Sequence, residues 1–347
     1  MEIDGRLIGP QHPPYIIAEL SANHNGSLDR ALQSIVAAKE AGADAVKIQS
    51  YTADTITIDH QSDDFMIRDG GLWDGYSLYE LYKWAQTPFE WHEAMFAKAR
   101  EVGITIFSTP FDHTAVDLLE SLGAPAYKIA SFEAIDIPLI RRVAQTGKPM
   151  IISTGMANEE EIGLAVKTAR DNGCEQLSLL HCISSYPAPA EQFNLRTITD
   201  LGARFGVVPG LSDHSLGTTV AVVAVALGAC IIEKHFMLDD GEEGPDSAFS
   251  LTDKEIKILC DDSRVAWQAL GRAGYERAPA EENSLRFRRS LYFVEDMKAA
   301  DVITSQNMRS IRPGFGIAPR FYDDVIGKRV SRDITRGTPV SFDLITQ

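Results

Sequence analysis

Eight short, nearly all-apolar segments alternate with helix-like segments over roughly residues 14–270, and polar residues gather at the carboxyl ends of the apolar ones. This pattern predicts a TIM (β/α)8 barrel. Strands buried on both faces read as short apolar runs, and the active sites of this fold form where its strands end. After Gly271 the sequence turns polar and pattern-free, so a small second domain is expected to follow. The α/β chain then divides into 1–271, a linker 272–288, and 289–347.

The predicted strands are Tyr15–Leu20, Ala45–Gln49, Ile104–Ser108, Ala126–Ala130, Met150–Ser153, Leu177–Cys182, Val207–Leu211 and Cys230–His235. Helix ends between them are readable. Thr87-Pro88-Phe89-Glu90 predicts an N-cap, a proline at the first helical position and a capping-box glutamate, with Gly103 past the far end. Asn158 with Glu161, and Thr252 with Glu255, repeat the box. One helix face gathers Ile162, Ala165, Val166 and Ala169, and another gathers Ile256, Leu259, Ser263, Trp267 and Leu270.

With 347 residues the chain can bury a large core without cross-links. Its 49 acidic against 33 basic residues give a net charge of −16, which argues against nucleic acid or an anionic membrane as partner. Cys174, Cys182, Cys230 and Cys260 show no CxxC spacing and are expected as reduced thiols of a cytoplasmic protein. The first residues, MEIDGRLIGP, hold no apolar signal core. The longest apolar run, Val220 to Ile232, is shorter than the ~20 residues of a membrane span, so neither export nor insertion is expected.

Between Val207 and His235 lie a strand ending in Ser212-Asp213-His214, an apolar helix, and a strand ending in Lys234-His235. Parallel neighbours lie ~4.8 Å apart, so the two imidazoles can share one ion at roughly 2.0–2.1 Å from each. The plain alternative is two ordinary polar strand ends. Asp213 before the first histidine and Gly244-Pro245-Asp246 after the second favour a site. Glu19, Ser21, Lys47, Gln49, Ser108, Thr109, Lys128, Ser131, Ser153, Thr154, His181 and Glu233 complete the strand-end polar set. A lysine inside a barrel needs an anionic partner. For Lys47 that partner could be Glu19 or Glu233 in a static pair, and the head of Lys128 could reach solvent. Two such lysines beside several hydroxyls point instead to a bound phosphate or carboxylate.

Two stretches interrupt the alternation. Ser50–Gln86 is too long for a βα loop and holds Trp73, Asp74, Tyr79, Tyr82 and Lys83, a wall for a sugar or acyl group unless its aromatics only pack it down. Prolines 187 and 189 fix the chain around Tyr186, either over the site or buried beside it. Near the C-terminus two related phrases flank Ser310–Ile317, where Arg312 sits in a glycine-proline loop as a surface turn or an anion clamp.

IAELSANHNG at 17–26, AVKIQ at 45–49, STPF at 108–111, YKIAS at 127–131, STGM at 153–156, GLSDHS at 210–215, EKHF at 233–236 and RPGFGI at 312–317 together resemble the sialic acid synthase family. The resemblance implies a barrel followed by an antifreeze-like (SAF) domain. It also implies a transferase that joins phosphoenolpyruvate to an N-acetylated amino sugar with a divalent metal (Mn²⁺, Mg²⁺ or Co²⁺). LWDGYSLYELY at 72–82 and GPDSAFS at 244–250 are similar to the branch using 2,4-diacetamido-2,4,6-trideoxy-β-L-altropyranose, with sialic and legionaminic branches as alternatives. By motif, Lys47, Thr109, Lys128, Ser131 and Ser153 resemble phosphoenolpyruvate-binding residues, and His214 and His235 resemble metal ligands. Glu19, Gln49, Tyr186 and Asp246 match positions around metal and sugar. Glu133 matches the family's acid, and Phe132 stands where sialic acid synthases commonly have glycine. A homodimer in which Arg312 reaches the partner's barrel is also implied. Two other classes compete, a Schiff-base aldolase using Lys128 and a non-catalytic sugar-binding module.

Overall fold

The computed structural model describes residues 1–346 apart from 69, 240, 242 and 243, and it divides into two compact units, Met1–Gly271 and Arg272–Gln347. In the first unit the eight expected strands are all present: β1 (Tyr15–Glu19), β2 (Ala45–Ser50), β3 (Thr105–Pro110), β4 (Tyr127–Ile129), β5 (Met150–Ser153), β6 (Leu177–Cys182), β7 (Val208–Asp213) and β8 (Ile231–Met237). They pair in parallel in chain order, and β8 closes the barrel by pairing with both β7 and β1. The alternation of apolar runs and helices is therefore realised as a TIM barrel.

The helices that return the chain are α1 (Leu28–Ala41), α2 (His92–Val102), α3 (His113–Ser121), α4 (Ile137–Ala144), α5 (Glu159–Asp171), α6 (Thr197–Phe205), α7 (Thr219–Ala226) and α8 (Asp253–Leu270). The capping boxes at Asn158 and Thr252 form as expected. That at Thr87 does not. Pro88 keeps the chain extended at ψ 135, so a 3-10 turn, Phe89–Trp91, precedes α2 and the hydroxyl of Thr87 is left buried without a partner. Ile256, Leu259 and Ser263 of α8 are buried, whereas Leu270 at its end is exposed. The long segment after β2 contains ordered elements that its composition does not announce, including a helix over Leu78–Ala85 that Ser77 and Glu80 cap reciprocally.

Two apolar layers fix the barrel. One fills the space between strands and helices, with Ile16, Val46, Ile106 and Leu179 on the sheet side and Ile35, Phe96, Val116 and Leu259 on the helices. The other lies inside the barrel, where Ile17, Ala45, Phe107, Ala126, Ile151, Leu180 and Ile231 meet Ile3 and Ile8. Ile3 belongs to, and Ile8 follows, the antiparallel hairpin of Glu2–Ile3 and Arg6–Leu7, which plugs the amino-terminal end. Each buried aliphatic side chain contributes about 1.5–3 kcal/mol. With the lower interior filled, inward-facing polar side chains can only lie at the carboxyl end.

In the second unit Ser290–Phe293 pairs antiparallel with Met308–Ile311 over a small core of Leu291, Phe293, Ile303, Met308, Val330 and Val340. A single bridge, Met297 to Ile334, joins its two related phrases, which begin at Asp296-Met297-Lys298 and Asp333-Ile334-Thr335, and Val302 bridges to Arg329. Residues 272–288 are largely exposed and include a 3-10 segment, Pro279–Phe287. Among the described residues no helix is long and apolar enough to cross a membrane.

Candidate active site

Strand alternation decides which polar side chains enter the barrel. Continuing inward from the apolar layer come Glu19 on β1, Lys47 and Gln49 on β2, Thr109 on β3, Lys128 on β4, Ser153 on β5, Ser212 on β7, then Glu233 and His235 on β8. The intervening Ser108, His181, Asp213 and Lys234 face the helices instead.

At the centre Lys47 Nζ lies 2.6 Å from Glu19 Oε2, 3.7 Å from Glu233 Oε1, and donates to Thr109 Oγ1 at 2.9 Å. Lys128 Nζ is 3.5 Å from the same Glu233 oxygen, to which Ser212 donates at 3.2 Å. The ion pair expected as one alternative for Lys47 is thus present, while the head of Lys128 does not reach solvent (2 % exposed). Burial pushes Glu19 up to about 7, more than Lys47 pulls it down. Burial also opposes ionisation of Glu233, but Lys128 and Lys47 outweigh it and hold this carboxyl below its ordinary range. Burial lowers Lys128, which Glu233 only partly offsets; Lys47 is raised because its two carboxylates overcome the same burial. Glu19 Oε1, Glu233 Oε2 and Ser153 Oγ are buried without hydrogen-bond partners. Unpartnered polar atoms around two ammonium groups are what a ligand site looks like from its protein side.

Above this cluster the rings of His214 and His235 lie 5.4 Å apart, centroid to centroid. His214 Nδ1 donates to the carbonyl of Ile183 at 2.9 Å, which leaves Nε2 as the acceptor. His235 Nδ1 is buried without a partner, 3.9 Å from Asp246 Oδ2. Burial holds His214 down at about 4; burial, then His214 and the lysines, hold His235 well below the usual range. Two neutral imidazoles with free lone pairs suit a divalent cation, although among the described residues no group of three or more His, Cys, Asp or Glu side chains converges as a metal cluster. Tyr186 packs over the pair, 4.4 Å from His214 and 6.4 Å from His235. It sits over the site.

His235 lines a cavity of ≈ 690 Å³, while His214 lies behind Tyr186. Gln49, Ser131, Glu133, Tyr186 and Asp246 line it, with Tyr51, Trp73, Tyr82, Phe111, Phe132 and Phe249 as an aromatic wall. Burial pushes Glu133 up to about 7. Asp246 accepts from Ser21 Oγ at 2.5 Å and from the backbone of Ala22 at 3.3 Å. Ser21 does so from the left-handed region (φ 44), a strained setting for a residue with a Cβ. Trp73 Nε1 donates to the carbonyl of Pro245 at 3.1 Å, which fastens the long segment after β2 to the loop after β8.

The sequence marks Glu233 as a strand-end polar residue and a partner for Lys47 but assigns it no role in the site, and it does not mark Ser184, whose hydroxyl donates to Ser131 at 2.8 Å. No spacing signal marks Ser184. Arg312 belongs to the second unit, where it lines a hollow of ≈ 490 Å³ with Arg288 and Arg289.

A barrel with strand-end lysines and histidines, followed by a small β unit, defines a class of synthase, and comparison with known proteins agrees. The NeuB family matches residues 34–275 and the SAF domain residues 288–346, and the chain belongs to the NeuB family. It is 47% identical to the pseudaminic acid synthase of Campylobacter jejuni over 93% of this chain and 94% of that one. To the pseudaminic acid synthase of Helicobacter pylori it is 42% identical, over 95% and 97%. The crystal structure of N-acetylneuraminic acid synthetase from Leptospira borgpetersenii in complex with citrate superposes with a TM-score of 0.73 at 30% identity, covering 83% of this chain and 95% of that one.

Proposed function

We infer that this chain is a phosphoenolpyruvate-dependent transferase that condenses phosphoenolpyruvate with 2,4-diacetamido-2,4,6-trideoxy-β-L-altropyranose and water, giving pseudaminic acid and phosphate. The observation that carries the chemistry is the buried Lys47–Lys128 pair beside two neutral histidines at the mouth of the barrel. The relatives carry the choice of sugar.

Lys47 and Lys128, with the hydroxyls of Thr109, Ser131 and Ser153, hold the phosphate and carboxylate of phosphoenolpyruvate. C3 of the enol then attacks the sugar aldehyde carbon. When bound by His214 and His235, a divalent cation such as Mn²⁺, Mg²⁺ or Co²⁺ supplies a Lewis acid for the sugar's carbonyl oxygen. Glu133, protonated in a large fraction near neutrality, donates to the oxygen that becomes a hydroxyl. The cation left at C2 is stabilised by Glu19 and Glu233. Water adds there and gives one proton to a nearby carboxylate; phosphate then departs with the C–O bonding pair and takes up the remaining hydroxyl proton, leaving C2 as a ketone. Gln49, Tyr186 and Asp246 orient the sugar.

The four unpaired, buried cysteines support a cytoplasmic setting. A homodimer in which one copy offers Arg312 to the sugar in the partner's barrel completes the proposal, supported by the hollow that Arg312 lines together with Arg288 and Arg289. Phosphate release from phosphoenolpyruvate across a panel of deoxy amino sugars tests the reading. Release is expected with the diacetamido altrose; a borohydride-trapped lysine adduct without phosphate release would make the chain an aldolase.

A further inference from the structure

The tips of β7 and β8 read Ser212-Asp213-His214 and Glu233-Lys234-His235. Alternation sends the outer members of each triplet into the barrel and the middle members, Asp213 and Lys234, to the helix side. There they sit directly opposite each other in the β7–β8 register, and both are buried, at 1 % and 0 % exposure. Lys234 Nζ donates to Asp213 Oδ2 at 2.8 Å and also to the carbonyl of Ser215. Asp213 Oδ1 in turn accepts from the backbone of Ser215 at 2.8 Å. One ammonium group therefore grips the residues on both sides of His214, and it stands on the residue next to His235. The backbone of Ala188 in addition donates to the carbonyl of His214 at 2.9 Å.

We propose that the Asp213–Lys234 pair is a positioning device that sets the spacing of His214 and His235, and through it the affinity of the site for a divalent cation. Stability alone does not account for the pair. Desolvating two charges costs about as much as their attraction returns, and a well-packed apolar pair of like volume commonly serves as well or better. What an apolar pair lacks is direction. The fixed N–H···O geometry pins two strand tips in register at the point where the ladder ends and the loops begin. Residues that orient metal-ligating histidines from behind act in the same sense.

The inference rests on the reading of His214 and His235 as cation ligands, so its test reads cation binding directly. Full-length protein stripped with chelator is titrated calorimetrically with MnCl₂, alongside D213N, which keeps the side-chain shape and the acceptor for Ser215, and the double variant D213N/K234M, in which no charge is left buried alone. Each folded variant is expected to bind Mn²⁺ about 10- to 100-fold more weakly than the wild type. Wild-type affinity in either folded variant overturns the proposal. Failure of both variants to fold overturns it too, because the pair then carries stability rather than position. Absence of Mn²⁺ binding by the wild type removes the histidine reading and the proposal together, an outcome distinct from the other two.

Discussion

Glu133 is the residue whose environment says most about chemistry. Burial holds its carboxyl at about 7 against the opposing pull of a backbone hydrogen bond and of Lys128, so near neutrality a large fraction keeps a proton to give. A group that acts in its protonated form loses activity as pH rises through that value. We expect Glu133→Gln to lower kcat by about 10²–10⁴ and to erase the descending limb of kcat/KM near pH 7. An unchanged limb in the variant would assign the acid elsewhere. The candidate roles of Glu133, Lys47 and Lys128 were legible from motif and strand-end position. The part played by Glu233 was not, for a geometric reason. Lys47, Lys128 and Glu233 stand on β2, β4 and β8, alternate strands that contribute to one interior layer of a barrel. Linear sequence lists neighbours along a strand, whereas a layer joins strands that do not pair.

Loops and helix ends carry the site's precision. Gly155, in the loop after β5, has φ +37, and a Cβ there would lie 2.4 Å from Ser131 Cβ and 2.6 Å from Ser184 Oγ. Gly155→Ala must therefore displace both serines. We expect kcat/KM to fall about 10²-fold, the scale of a misplacement of roughly 1 Å, while the unfolding transition remains cooperative. Wild-type kinetics in that variant would remove Ser131 and Ser184 from the site. Elsewhere on this scale, His24 follows β1 with its ring 5.4 Å from Trp91, and burial lowers its pKa to about 4. A folded-state value below the unfolded one means full stability above about pH 6.5, lost as pH falls toward 4. Denaturant titrations at pH 7 and pH 4.5 should accordingly show a smaller loss for His24→Gln than for the wild type. The capping boxes at Asn158 and Thr252 were readable because each is a local exchange between residues three apart. Thr87 failed as a cap because ψ of Pro88, which no local pattern reports, carries the chain past it.

On the scale of the whole molecule, the eightfold alternation made the barrel readable, since each βα unit repeats one local pattern and closure follows from the handed packing of the units. The order inside the segment after β2 did not repeat and was not readable, although Trp73 and Tyr82 from it build the wall of the cavity. Assembly is tested by mixing. If Arg312 acts in the partner's barrel, then Arg312→Ala and Lys128→Ala chains, each inactive alone, should regain part of the activity together, because one of the two hybrid sites is intact in both respects; an active monomer in sedimentation would remove that arrangement. The cavity is expected to select the sugar. Its wall of Tyr51, Tyr82, Phe111 and Phe132 offers apolar surface, with a half-exposed Phe132 (55%) where a glycine would leave space. A methyl group at C6 and a second acetamido methyl at C4 gain from such a wall, whereas a hydroxymethyl group is desolvated there without a partner. A single difference of this size is worth ~1–3 kcal/mol, or about 10- to 200-fold in kcat/KM, and N-acetylmannosamine differs from the diacetamido altrose at both positions. N-acetylmannosamine is therefore expected to be the poorer substrate by at least about 10²-fold, and Phe132→Gly to narrow the gap mainly by weakening the diacetamido substrate. Comparable kcat/KM for the two sugars in the unaltered protein would return the chain to the sialic acid branch of its family and leave the aromatic wall as packing for the segment after β2.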